Sequence, residues 1–310
     1  MNRAYLAASV AFLLFSAGAE GQGVPQLPLM PPLPAAAGDR ESGGVFRAFK
    51  KTSYWNTPMP ADAPIDAQSA EYIAWLKENT PGWLQIGSGK WAMPRFVAEA
   101  SDPLATFTAR NGVEVTFHCP ANMKPMEGND AALVVLDRHT GQDIAFFEFR
   151  GYDGIHPVAT NCSRHMLDSN GLDASLGDDP RNFGHRGIPG SIAFVRADEL
   201  AAGVIAHRLK IALPGTADFH VFPMVGHEKN RGGIIGEGMV LRIKPGVDLS
   251  NLSGDARTIA IACQTYGVVV GDNSGNGAKL KAESGLNLDN NMLQSISWDS
   301  WEFVERGFVP

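Results

Sequence analysis

Residues 133–150 read LVVLDRHTGQDIAFFEFR, and this stretch decides the fold class. Residues 133–137 form a nearly continuous apolar run, which is typical of a strand buried on both faces. Thr140 and Gly141 mark a turn, and residues 144–150 are predicted to form the return strand. The stretch therefore predicts a β-hairpin.

Working outward from this hairpin, strands outnumber helices, and loops rich in glycine and proline separate them. Helices are predicted over residues 66–79 and 253–266, with one or two helical turns over residues 197–203. Further strands are predicted over residues 113–118, 204–213, 219–224, 239–244 and 268–270. We therefore expect a mainly-β fold, a β-sandwich or jelly-roll-like architecture with a few peripheral helices.

The composition narrows the class of protein. The chain has 310 residues, a formal net charge of −7 and only 19% charged residues, and 44% of its residues are hydrophobic. This apolar content argues against disorder. A general nucleic-acid binder carries a basic footprint, which an acidic chain lacks. We therefore expect no nucleic-acid partner.

The first 44 residues predict export followed by a tether. Arg3 precedes an apolar run over residues 4–15, and residues 17–19 read AGA, a cleavage pattern. Residues 1–19 are therefore predicted to be a signal peptide, since the run is too short to span a bilayer. Residues 20–44 are rich in proline and glycine and predict an extended tether. A single domain over residues 45–310, secreted or periplasmic and not membrane-bound after cleavage, is expected.

The chain contains three cysteines, Cys119, Cys162 and Cys263. Cys263 lies in an apolar helical stretch and is predicted to be a small buried hydrophobic residue. Cys119 and Cys162 are both predicted in loops, so they are the candidate disulfide of an exported protein. No cysteine or histidine spacing indicates a zinc site, and no metal or cofactor is predicted.

Histidines provide the first catalytic candidates. With a period of two along residues 204–213, His207 shares a face with apolar residues. It is either a hydrogen-bonded buried histidine or a general base whose pKa is tuned by burial.

The loop predicted over residues 151–189 holds His165, Asn170, His185 and Arg186. Loops this long within a domain are often functional. Arg186 could bind a carboxylate with two hydrogen bonds, although an ordinary polar loop has the same composition.

Carboxylates provide the second set of catalytic candidates. Glu148 shares a predicted face with Ile144 and Phe146, so it is either paired with Arg150 or has a raised pKa suited to a general acid. Asp137 and Asp272 end strands, where they commonly cap turns. Glu237 lies between two glycines and could reach a ligand. Two carboxylates across a cleft would permit glycoside hydrolysis.

Aromatic residues cluster near the start of the predicted domain, including Trp55 beside Asn56. Aromatic rings can stack on sugars, although tryptophan in a β-sandwich is also a core residue. The motifs of serine hydrolases, phosphate-binding loops and zinc proteases do not occur.

Two stretches carry a resemblance, residues 187–214 and residues 237–274. Their shared pattern is Arg196-x-x-Glu199, then Gly203-x-Ile205-x-His207, then Tyr266-Gly267 and Asp272. In these segments, about a third of the chain, the sequence resembles a widespread group of exported bacterial proteins, mostly of unassigned activity. The resemblance implies a β-sandwich of the kind found in lectins and polysaccharide-cleaving enzymes. The group often has S-D-A-H where residues 129–132 read NDAA, so a role for that histidine does not transfer.

Together these features predict a secreted enzyme that cleaves polysaccharide, with a slight preference for a lyase acting on a uronate-containing glycan. The alternatives are a glycoside hydrolase and a non-catalytic protein that binds carbohydrate or cell wall. The candidate catalytic residues are His207, His185, Arg186, Tyr266, Glu148 and Asp272. The candidate substrate-binding residues are Trp55, Asn56, Asn170, His165, Arg196 and Glu237.

Overall fold

The computed structural model describes residues 45–229 and 231–310. This part of the chain contains three α-helices, α1 (Ser69–Asn79), α2 (Ala197–Ala202) and α3 (Gly254–Thr265). None of these helices has the length and apolar character needed to cross a membrane. The predicted signal peptide, residues 1–19, and the predicted tether, residues 20–44, lie outside the described residues.

The described residues form fifteen strands. They are β1 (Gln85–Gly87), β2 (Arg95–Val97), β3 (Leu104–Thr108), β4 (Glu114–His118), β5 (Leu133–Asp137), β6 (Gln142–Phe147), β7 (Gly151–Asp153), β8 (His156–Val158), β9 (Asn161–Met166), β10 (Phe194–Val195), β11 (Leu209–Leu213), β12 (Val240–Ile243), β13 (Val268–Asn273), β14 (Lys279–Ala282) and β15 (Trp301–Phe303). The predicted mainly-β fold with a few helices is confirmed.

Two sheets organise the described strands. The larger has the order β1-β14-β11-β13-β12-β15, with β10 also paired to β14, and the smaller has the order β2-β5-β6-β9. Both sheets are mixed, since β11 runs parallel to β13 and β2 runs parallel to β5. The hairpins β3–β4 and β7–β8 complete the strand set.

Strand β5 is buried on both faces, as its apolar run predicts. Val134 and Leu136 belong to a hydrophobic cluster that also contains Val240 and Val269 of the larger sheet. Leu133 and Val135 of β5 pack on the opposite side, against the β3–β4 hairpin. The far side of the larger sheet packs against α1 and α3. The two sheets therefore share a core, and helices cover the outer face of the larger one.

Three local predictions need correction. Residues 151–189 are not one irregular loop, because β9 pairs antiparallel with β6 and places His165 on a strand. Residues 219–224 form only an isolated bridge between His220 and Glu237, where Pro223 cannot donate a ladder hydrogen bond. The strand predicted from residue 204 begins at Leu209, so His207 precedes it.

The cysteines form no disulfide. Cys119, Cys162 and Cys263 are all free and buried, so the proposed Cys119–Cys162 bridge is wrong. Cys119 and Cys162 lie in one hydrophobic cluster, and Cys263 lies in α3 as predicted. Burial raises the pKa of Cys162 to about 12, which makes it an inert thiol at neutral pH.

Candidate functional site

A cleft of about 370 Å³ is lined by residues of both sheets. The smaller sheet supplies Val134, Ala145 and Ser163, whereas charged side chains come from the larger sheet and from the loops between strands. These are Lys210 of β11, Asp272 of β13, Lys281 of β14, and the loop residues Arg110, Asp130, His185 and Glu228.

A β-bulge brings Asp272 to the cleft. Ile211 pairs with Val270 and Ala212 pairs with Asp272, so Gly271 is the extra residue of β13. A Cβ atom on Gly271 would lie 2.2 Å from Ile188 Cδ1, so a larger residue here would require the Ile188 side chain to move. The stem of Lys210 packs over the same glycine, and its Nζ donates to Asp272 Oδ2 at 2.9 Å.

Arg186 lies behind this pair and holds three acidic side chains. Its Nη1 donates to Glu228 Oε1 at 3.0 Å, and its Nη2 donates to the Gly271 carbonyl at 3.1 Å. Its Nη2 also lies 3.5 Å from Asp272 Oδ1. Its Nε forms a 2.9 Å ion pair with Glu237 Oε2 in which the atoms are not aligned for a hydrogen bond. Arg186 has φ +57°, a conformation that side chains rarely adopt and that recurs at functional sites.

The charges of the cleft compensate one another. Although burial opposes it, Lys210 and then Lys281 hold the pKa of Asp272 well below its usual range. Burial lowers the pKa of Lys281, and the neighbouring Lys210 lowers it further. Lys281 has a weak partner, since its Nζ lies 3.6 Å from Asp130 Oδ2. Lys281 thus keeps the capacity to bind a new anionic partner.

His185 lies at the mouth of the cleft. Its side chain is exposed to solvent, yet the cleft walls desolvate the ring. This desolvation, reinforced by the positive charge of Arg186, lowers the pKa of His185 to about 4. At neutral pH the imidazole is uncharged, so one ring nitrogen can accept a proton.

His185, Glu228 and Asp272 place ligand atoms within 4.8 Å of one another, a spacing that a metal ion could use. The surrounding donors argue against that use. Lys210 and Arg186 bind the two carboxylates, and Asn273 Nδ2 donates to Glu228 as well. Three nearby cationic side chains would repel a divalent ion. The arrangement fits a charge-compensated site better than a metal site.

The structure brings four of the predicted site residues together. His185 and Asp272 line the cleft, and Arg186 and Glu237 lie directly behind it. Burial raises the pKa of Glu237, but its side chain is fully buried and faces Arg186. Glu237 was predicted to reach a ligand. In the structure it contacts Arg186 instead and supports that side chain.

His207 and Arg196 belong to a separate buried cluster. His207 Nε2 lies 2.7 Å from Glu199 Oε1, and its Nδ1 lies 2.6 Å from the Arg208 carbonyl. Arg196 Nη2 lies 2.7 Å from the same Glu199 oxygen. His207 is 3% exposed. This geometry supports the alternative of a hydrogen-bonded buried histidine rather than a general base.

Three more candidates are buried in the core. Trp55 is fully buried and donates its Nε1–H to the Gly171 carbonyl, so its ring has no face open to a sugar. Asn56 donates to the Ala48 carbonyl at 2.7 Å. Tyr266 is 3% exposed, and burial raises its pKa. None of the three lines the cleft.

The remaining candidates also lie away from the cleft. Glu148 is paired with Arg150, and a hydrogen bond from Thr160 lowers its pKa, so the alternative of a raised pKa is wrong. Asn170 donates to Asp178 at 3.1 Å. His165 is fully buried without a hydrogen-bond partner for its ring, and burial lowers its pKa to about 4.

Lys210, Lys281 and Glu228 were not among the predicted site residues. The alternating pattern KLKA of β14 contains a signal for Lys281, because every second residue of a strand shares a face. No local signal marks Glu228, because it meets Arg186 only through tertiary structure.

No protein-family model, curated protein or solved structure matches the chain.

Proposed function

We propose that the protein is an exported enzyme that cleaves a uronate-containing polysaccharide by β-elimination in this cleft. The supporting observation is the convergence of an uncharged histidine, His185, with two lysines, Lys210 and Lys281, in one cleft. Elimination next to a carboxylate needs a base and a cation that stabilises the developing negative charge.

His185 and Lys281, which both line the cleft, are assigned to the steps of this elimination. The uronate carboxylate binds Lys281, whose present partner is 3.6 Å away. His185 takes the proton from the carbon next to that carboxylate. The electron pair forms the carbon–carbon double bond, and the bond to the leaving glycosidic oxygen breaks. That oxygen receives a proton from the protonated His185 or from water, so atoms and charge balance.

Hydrolysis by two carboxylates has weaker support. Asp272 and Glu228 lie close enough for a retaining mechanism, which places two carboxyl groups about 5–5.5 Å apart. That mechanism needs one carboxyl group that holds a proton, and Lys210 keeps the pKa of Asp272 well below its usual range. Glu228 is bound by Arg186 and Asn273.

The test is an activity screen of the purified protein on polygalacturonate, alginate and a neutral glucan. Lyase action gives ultraviolet absorbance from the unsaturated uronate end together with new reducing ends. We expect both signals on a uronate polymer and neither on the neutral glucan. New reducing ends without absorbance would show a hydrolase, and binding without either signal would show a non-catalytic protein.

The residue control uses two exposed histidines. His185→Gln should lower turnover by about 10²–10⁴-fold, the usual contribution of a general base. His156→Gln, on the exposed β8 strand away from the cleft, should leave turnover unchanged. Equal activity of the two variants would overturn the role of His185.

A further inference from the structure

A second group of side chains converges outside the cleft, at Asp218, His220 and His227. His220 Nδ1 lies 2.8 Å from His227 Nδ1, and the two rings are tilted by 33°. The other ring nitrogen of His227, Nε2, lies 3.2 Å from Asp218 Oδ1. His220 is exposed, and the side chain of His227 is 28% exposed. The group is open to solvent.

Asp218 determines which ring nitrogen of His227 carries the proton and which carries the lone pair. A carboxylate only accepts hydrogen bonds when ionised, so it selects the tautomer with a proton on Nε2. The lone pair of His227 then lies on Nδ1, which faces His220 Nδ1. A carboxylate on the outer nitrogen of a histidine is the arrangement that orients metal-binding histidines.

We propose that His220 and His227 bind one divalent transition-metal ion of the zinc class through their Nδ1 atoms. Imidazole nitrogens suit such ions, and each bond is about 2.0–2.1 Å long. Two nitrogens on one tetrahedral ion would stand about 3.3 Å apart. The present 2.8 Å separation needs to open by only a few tenths of an ångström, and the proton that His220 Nδ1 donates to His227 Nδ1 must move to His220 Nε2. Asp218 is a positioning residue for His227, and water fills the other coordination positions.

This site is independent of the proposed lyase activity, although the two are adjacent in the chain. His227 precedes Glu228, whose carboxylate binds Arg186 beside the cleft. An ion between His220 and His227 would therefore hold the backbone segment that supplies Glu228.

The test is calorimetric titration of the full chain, without a polyhistidine tag, with zinc chloride. We expect one ion per chain in the unsubstituted protein. His220→Ala and His227→Ala should each weaken binding at least tenfold, and Asp218→Asn should weaken it about 10–100-fold. His156→Ala should have no effect. Circular dichroism should show unchanged melting for all four variants, because these side chains lie at the surface.

Two results would overturn the proposal. The first is no saturable zinc binding by the unsubstituted protein. The second is binding that survives His220→Ala and His227→Ala but is lost in Asp272→Asn, which would place the ion in the cleft. An unchanged affinity in Asp218→Asn would overturn the positioning role of Asp218. Because these outcomes are read from zinc affinity, they are separate from the lyase assay.

Discussion

Two clusters in this protein each combine a histidine, an arginine and a carboxylate, and they differ in their access to solvent. One contains His207, Arg196 and Glu199 and is closed within the core. The other contains His185, Arg186 and Asp272, and its histidine is exposed at the mouth of a cleft. In the closed cluster every charge has a fixed protein partner. In the open cluster the histidine is free to meet a ligand. Burial, rather than residue type, separates a structural histidine from a candidate base.

The largest expected effect comes from breaking the closed cluster with Glu199→Ala. This change leaves Arg196 and His207 without their shared carboxylate in the core. Removing one partner of a buried ion pair typically costs about 3–5 kcal/mol of stability. Urea unfolding should show this loss, and Glu71→Ala at the exposed start of α1 is the control. A loss no larger than in the control would contradict the structural role.

The next largest effect is a pH dependence of stability caused by a third histidine, His165. This histidine is buried without a hydrogen-bond partner for its ring. Burial lowers its pKa to about 4, against an ordinary 6.5 in the unfolded chain. Between these values the unfolded state binds more protons, so stability falls as the pH drops from 6.5 to 4. The loss from His165 amounts to at most about 3 kcal/mol.

The check is urea unfolding at several pH values for the unsubstituted protein and His165→Leu. The variant should show a shallower decline of stability between pH 6.5 and 4. His156→Leu, at an exposed position on β8, should decline like the unsubstituted protein. Parallel curves for the unsubstituted protein and His165→Leu would contradict a lowered pKa at His165.

A smaller effect is expected from Lys281→Met, in the cleft beside the open cluster. Activity on a uronate polymer should fall about tenfold or more, because the proposed carboxylate partner is lost. Stability should stay equal or rise, because a desolvated lysine beside Lys210 is removed. Lys279→Met, two residues earlier on β14 and away from the cleft lining, is the control. Full activity of Lys281→Met would remove this lysine from the mechanism.

The sequence predicts the strands whose side chains alternate or are continuously apolar, such as β5. It also predicts the helix α3. It does not predict β9, because NCSRHM has no apolar alternation and owes its burial to pairing with β6. The cleft is predictable only in part. His185 and Asp272 stand beside glycines that mark loops and turns, so local composition points to them.

The contacts of Lys210 and Glu228 depend on tertiary structure. Lys210 reaches Asp272 because Gly271 forms a bulge in β13, and no local pattern announces that register shift. Glu228 reaches Arg186 across 42 residues of chain. Pairings of this kind follow from how the sheets and loops meet.

The most direct test compares His185→Gln with His207→Gln in two measurements, turnover on a uronate polymer and thermal melting. His185→Gln should lose turnover by about 10²–10⁴-fold and melt like the unsubstituted protein. His207→Gln should melt at a lower temperature and keep its turnover per folded molecule, since its partners lie in the core. The opposite pattern, with turnover lost in folded His207→Gln and kept in His185→Gln, would contradict the assignment of function to the open cluster.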